Sequence, residues 1–252
     1  MINKVIYVLI GERDVKFLLK SIELIQSLDS SLIIEVWHDI EESRLEKFIE
    51  NYSTKLNCSL KKFNRIKFNT REENRNSSYF RIKALLDSEA DNTLYIDNDI
   101  FPVHKGFLEG FKICLHYGLS MVQNPRDFIK TYEGNIGDLD IGADVLDYDK
   151  QSCSKMPYYM ASYNMGVMFH SKNDERGTKF LESLLDEQQT NPSRGQAGLY
   201  RTMWKEKYSP YCLPVNWLVC RRHEGIANPL SLHVGHKNIL SWWLKEFNNV
   251  VL

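Results

Sequence analysis

No basic excess, no membrane-length apolar run and no Cys-x-x-Cys pair occur in this 252-residue sequence. Each absence closes off a class of function. A net charge of −1 supplies no global field for nucleic acid or for an anionic membrane surface. No apolar stretch reaches the ~20 residues that span a bilayer, and the N-terminal run from Met1 to Ile10 lacks the layout of a secretory signal. The five cysteines (Cys58, Cys114, Cys153, Cys212 and Cys220) are odd in number and scattered. That argues against a zinc site or a redox pair, and for reduced thiols in a cytoplasmic compartment. Internal repeats and low-complexity linkers are missing too.

What remains is an ordinary globular composition, 43% hydrophobic and 26% charged. The length suits one large α/β domain on a prior of roughly 100–200 residues per domain. Val5–Ile10 is β-rich and wholly apolar, as a strand covered on both faces should be. Val15, Leu18, Leu19, Ile22, Ile25 and Leu28 follow helical spacing. Leu32–Trp37 reads as a second strand, and Leu45, Phe48, Ile49 and Tyr52 mark one face of a second helix. Strand, helix, strand, helix predicts a Rossmann-like, mostly parallel sheet flanked by helices.

Leu60–Arg75 is polar and carries Lys61, Lys62, Arg65, Lys67, Arg71 and Arg75; it reads as a solvated edge and loop, or as a phosphate-attracting rim. Tyr79–Leu86 is expected to be a helix leading into a strand at Leu94–Ile96. Gly118–Val122 and Met165–Phe169 read as strands, and 174–187 and 195–207 as helices. Between them, Tyr132–Asp149 holds six acids, three glycines and no basic residue, a long loop of the kind that carries function. Trp217, Trp242, Trp243 and Phe247 are expected in the core.

The most informative segment is Leu94-Tyr95-Ile96-Asp97-Asn98-Asp99. A strand alternates its side chains, so Asp97 and Asp99 project together if strand geometry persists. Two adjacent carboxylates repel unless a cation lies between them, and hard divalent ions take oxygen ligands. Ligands of open α/β sheets collect at the C-terminal ends of strands, where this pair falls.

Tyr79-Phe80-Arg81-Ile82-Lys83, the Asp-x-Asp segment, Tyr163-Asn164-Met165-Gly166-Val167-Met168 and Leu232-His233-Val234-Gly235-His236-Lys237 form an ordered series of blocks. In that order they resemble nucleotide-sugar glycosyltransferases of the GT-A fold, and among these they look like family 8 (bacterial lipo-oligosaccharide galactosyltransferases and glycogenin). The resemblance implies a single GT-A domain over 1–252. Its 1–103 half would bind the nucleotide sugar, and its 104–252 half would bind the acceptor and complete the metal site. It implies Mn²⁺, or Mg²⁺, held by Asp97, Asp99 and His233, with His236 the alternative imidazole. Ile10, Gly11, Arg13, Arg81, Asn98, Asn164, Gly166, Gly235 and Lys237 would contact the donor.

Gln196 matches a Gln on the sugar's β-face, although Gly195 replaces the aspartate that precedes it in the family, and the loop after the first strand also departs from the family pattern. The implied activity is hexose transfer from a nucleoside diphosphate, UDP first and a guanosine nucleotide second, to a glycan, lipid-linked or protein hydroxyl with retained configuration. The acidic loop would close over the donor. An inverting enzyme would instead need a carboxylate base, for which Asp138 and Asp140 are the candidates. A haloacid-dehalogenase-type phosphohydrolase, a sugar nucleotidyltransferase and a non-catalytic nucleotide-sugar-binding module are the competing readings. The first usually carries its Asp pair near the start of the chain, and the second needs a glycine-rich N-terminal loop that Gly11-Glu12-Arg13-Asp14 does not supply.

Overall fold

The computed structural model describes residues 1–52, 55–68, 72–123, 163–191, 195–219, 226 and 228–235, without the side chains of residues 72, 74 and 196. The strands are β1 (Asn3–Leu9), β2 (Ile33–His38), β3 (Ser59–Lys62), β4 (Asn92–Ile96), β5 (Ile100–Pro102), β6 (Ser120–Gln123), β7 (Tyr163–Ser171), β8 (Tyr211–Leu213) and β9 (Ser231–His233). The helices are α1 (Val15–Leu28), α2 (Glu42–Glu50), α3 (Glu72–Leu86), α4 (Gly110–Tyr117), α5 (Glu175–Thr190) and α6 (Gly195–Glu206).

Alternation along β1 sets up three layers. Val5, Tyr7 and Leu9 pack with Leu18, Ile22, Leu45 and Phe111 of α1, α2 and α4. Ile6 and Val8 pack with Phe80, Ile82, Phe180, Leu184 and Leu199 of α3, α5 and α6. A strand buried on both faces needs apolar residues along its buried length, which this one has from Val5 to Leu9.

Among the described residues, seven strands form one sheet in the order β3-β2-β1-β4-β7-β6-β8. β1 runs parallel to β2 and β4, β2 to β3, and β6 to β8, while β7 runs against both of its neighbours. The chain winds outward from β1 to β3 and then returns to β4 on the other side of β1. The β1/β4 boundary is therefore the topological switch point, where a crevice opens outside the strand ends. Because β7 is antiparallel, its N-terminal end reaches that same rim. β5 and β9 form a separate antiparallel ladder that pairs Ile100 with His233.

Several expectations are corrected. Strand geometry stops at Ile96: Asp97–Asp99 form a turn closed by Ile100 N donating to Asp97 O at 3.1 Å, so the two acids are not neighbours on one strand face. The basic stretch is not all edge and loop, because α3 starts at Glu72 and takes in Arg75. That side chain is buried, and it donates to Gln188 O at 3.2 Å and Asn191 O at 2.9 Å. Phe48 is exposed, since α2 buries only Leu45. Trp217 is in the core. The acidic loop, Trp242, Trp243 and Phe247 lie outside the described residues. Among the described residues no helix is long and apolar enough to cross a membrane.

One buried group gives the fold a pH dependence. His170 of β7 lies against Thr178 of α5 at 3.1 Å, and burial lowers its pKa from 6.5 to about 4. Above pH 6.5 neither state binds the proton. As pH falls toward 4 the unfolded chain takes up a proton that the folded chain refuses, so stability drops. The loss is about 3 kcal/mol at pH 4. His170→Gln, which does not titrate, is expected to remove that share of the loss in urea titrations at pH 7 and pH 4. Parallel profiles for the two proteins would refute the assignment.

Candidate functional site

Two adjoining cavities open at the switch point. The larger, about 250 Å³, is lined by Val8, Ile10, Gly11, Glu12, Arg13, Asp14, Glu73, Ser77 and Asn98. The other, about 180 Å³, is lined by Val8, Asp14, Ser77, Arg81, Tyr95, Asp97, Asn98, Asp99 and His233. They share Val8, Asp14, Ser77 and Asn98, so they form one cleft. Among the described residues, every lining residue except His233 comes from the first hundred positions.

Tyr95 faces the α3 layer, and Asp97, two positions on, continues toward the same side. The Tyr95 hydroxyl donates to Asp97 Oδ1 at 2.5 Å. Burial, then the charges of Asp97 and Asp99 despite Arg81, raises the Tyr95 pKa well above 10, so the phenol remains a donor. Arg81 reaches in from α3, its side chain 14% exposed, with Nη2 3.5 Å from Asp97 Oδ1. It also donates to Ser77 O at 3.2 Å, Ser77 Oγ at 2.9 Å and Met165 O at 3.2 Å. Burial works against the Arg81 charge, and attraction from Asp97, Tyr95 and Asp99 outweighs it and raises the pKa. The Met165 carbonyl lies where the β6–β7 register shifts, with Val122 pairing Asn164 directly after Met121 pairs Met168. Such irregularities commonly re-aim groups beside active sites.

The second acid is placed by the small ladder. Val234 N donates to Asp99 O at 2.8 Å, and His233 N to Val219 O at 2.9 Å. This brings His233 Nε2 to 3.2 Å from Asp99 Oδ2. Asn98, between the acids, donates from Nδ2 to Val8 O at 3.0 Å. Among the described residues its Oδ1 is buried with no partner.

The structure thus brings Asp97, Asp99, His233, Arg81 and Asn98 to one cavity, and Ile10, Gly11 and Arg13 to the adjoining one. Gly11 has φ +64°, a conformation natural to glycine, in the turn after β1. Arg13 is largely exposed and pairs with Asp14 at 3.1 Å. Asn164 and Gly166 act on each other and on the Asp97–Asp99 turn: Gly166 N donates to Asn164 Oδ1 at 2.7 Å, and Asp97 N to Gly166 O at 2.8 Å. Lys237, His236, Asp138 and Asp140, and the side chain of Gln196, lie outside the described residues. Ser77, Asp14 and Tyr95 were not singled out from sequence. Ser77 stands one helical turn before Arg81, and Tyr95 two positions before Asp97, so spacing alone could have found both.

Among the described residues, no three His, Cys, Asp or Glu side chains meet as a finished metal cage. Asp99 faces His233, whereas Asp97 turns to Tyr95 and Arg81. The donor set nevertheless fits a divalent cation: two carboxylates and an imidazole suit Mn²⁺. Each carboxylate also has a glycine against it. A Cβ on Gly166 would lie 2.8 Å from Asp97 Oδ2, and one on Gly235 would overlap Asp99 Oδ2. Both acids therefore keep an oxygen on a side where any other residue would crowd it.

No family model and no curated protein matches the sequence. Solved structures do match. The galactosyltransferase LgtC, determined with donor and acceptor sugar analogues, is 13% identical with TM-score 0.63 over 97% of this chain and 94% of its own. An active-site mutant of LgtC gives 12% and 0.61 over the same shares. The bifunctional glycosyltransferase WbbM, without ligand, gives 16% and 0.59 over 94% of this chain and 46% of its own. At these identities what is shared is architecture: the chain has the GT-A fold of these glycosyltransferases.

Proposed function

We propose that the protein is a metal-dependent glycosyltransferase that moves a hexose from a nucleoside diphosphate sugar, UDP-linked first, to a hydroxyl of a glycan, a lipid-linked sugar or a protein. The observation that carries this reading is the cleft at the β1/β4 switch point, where Asp97, Asp99 and His233 line a cavity continuous with one large enough to take part of a nucleotide. That its described lining comes from residues 1–103 apart from His233 supports a donor-binding first half and a second half that completes the site. Cys58, Cys114 and Cys212 carry free thiols, which suits a cytoplasmic setting.

Asp97, Asp99 and His233 would hold Mn²⁺ or Mg²⁺. When bound, such an ion supplies positive charge to a diphosphate that gains negative charge as the sugar bond breaks. The chain's own groups orient the rest. Tyr95 and Arg81 fix one carboxylate, and Arg81 adds a permanent cation beside the leaving group. The unpartnered Asn98 Oδ1 accepts from a donor hydroxyl. Lys237 contacts the leaving phosphates, Gln196 steadies the sugar face, and the product keeps its anomeric configuration. Inversion, seen by NMR at the anomeric carbon, would point to Asp138 or Asp140 as a base.

Incubation with Mn²⁺ and a panel of nucleotide sugars tests the reading. Slow donor hydrolysis, with UDP-hexoses ahead of the rest and abolished by a chelator, is expected. Metal and nucleotide binding without turnover would reassign the chain to a binding module. A covalent phosphoaspartate trapped by a phosphate mimic would indicate a phosphohydrolase.

A further inference from the structure

Asp39, directly after β2, lines neither cavity, yet its side chain is only 3% exposed. A carboxylate that buried needs partners, and it has one on each side. Gly11 N, in the turn after β1, donates to Asp39 Oδ1 at 2.7 Å. Arg65 Nε, from the segment after β3, donates to Asp39 Oδ2. The Arg65 guanidinium then extends to Glu73 of α3, with Nη1 3.7 Å from Oε1. Gly11 and Glu73 are both walls of the 250 Å³ cavity. The ends of three neighbouring strands and the first turn of a helix are thus tied together through one acid behind the cavity.

We infer that Asp39 is a positioning residue for the nucleoside part of the donor: it sets the separation of the Gly11 and Glu73 walls through Gly11 N and the Arg65 bridge. This rests on the nucleotide-sugar reading above. The physical case is that a pocket built on loops keeps its shape only if groups outside it lock those loops. Gly11 has a conformation open to many backbone states in the absence of a fixed partner, and Asp39 supplies the hydrogen bond that selects one. Asp39 acts on binding, because its links reach the larger cavity; the Asp97, Asp99 and His233 groups have their own supports in Tyr95, Arg81 and Val219.

The test is calorimetric titration with UDP, and separately GDP, in Mn²⁺, together with kcat and KM for donor hydrolysis. Asp39→Ala is expected to weaken UDP binding and raise the donor KM on the order of tenfold, with kcat at saturating donor preserved. Asp39→Asn, which still accepts from Gly11 N but no longer opposes the Arg65 charge, is expected to fall between. Arg65→Met opens the bridge from its more exposed end and is expected to shift KM in the same direction. It also keeps the test alive if Asp39→Ala does not fold. Unchanged UDP affinity in folded Asp39→Ala, or in Arg65→Met, overturns the inference, and so does a loss carried in kcat. A wild-type chain that binds neither UDP nor GDP overturns the nucleotide-sugar reading itself, and the inference with it.

Discussion

Asp99→Ala is expected to lower metal-dependent turnover of a nucleoside diphosphate sugar by about 10³-fold, the loss seen when one group that stabilises transition-state charge is removed. The side chain sits 3.2 Å from His233 Nε2 and is one of the three groups proposed to hold the ion. The fold should tolerate the change. What Asp99 gives the backbone is its carbonyl, which accepts from Val234 N, and alanine keeps that carbonyl. A folded protein with lost Mn²⁺ binding and lost turnover is therefore the predicted outcome. Manganese titration followed by electron paramagnetic resonance separates loss of the ion from loss of chemistry. His233→Ala should act in the same direction and cost more than His236→Ala. An Asp99→Ala protein that turns over donor at the wild-type rate in Mn²⁺ would falsify the site.

Arg81→Met carries the second large effect, and it falls on stability as well as on activity. The guanidinium serves Ser77 O, Ser77 Oγ and Met165 O and lies beside Asp97, with little solvent to replace it. Methionine preserves much of the stem and none of the donors. Asp97 is then left with the Tyr95 hydroxyl, and two carbonyls lose a partner. Removing one member of such a pair costs about 3 kcal/mol. Arg81→Lys should rescue little, because a single ammonium cannot reproduce the fork that reaches a helix carbonyl, a strand carbonyl and a carboxylate together. Urea unfolding of the three proteins at pH 7 checks this. A midpoint for Arg81→Met equal to the wild type's would show that the arginine is not structural here and would leave only its charge toward a ligand.

Much of the architecture was legible because helical and strand periods are written in local spacing. Val15, Leu18, Leu19, Ile22 and Ile25 predict α1, and all five are buried on one side of the sheet. The Asp97–Asp99 turn departs from a continued strand for a reason that is not local. Asp97 and Asp99 are two apart, as on a strand, but pairing with Gly166 and Val234 from distant segments decides where the strand ends. Arg75 looked solvated because nothing nearby announces that Gln188 of α5 and Asn191 just beyond its end supply two carbonyls to it. Asp39 was invisible for the same reason: its partners precede and follow it by more than twenty residues, and only the sheet order brings them to one acid.

The β5–β9 ladder has a consequence for synthesis of the protein. His233 is delivered by a strand made long after both acids, and the other described cavity walls all precede position 100. A nascent or prematurely released chain would lack the imidazole that faces Asp99, and so would hold a donor cleft without its last proposed ligand. Under the proposed function, hydrolytic waste of activated sugar is thereby deferred until β9 has been made.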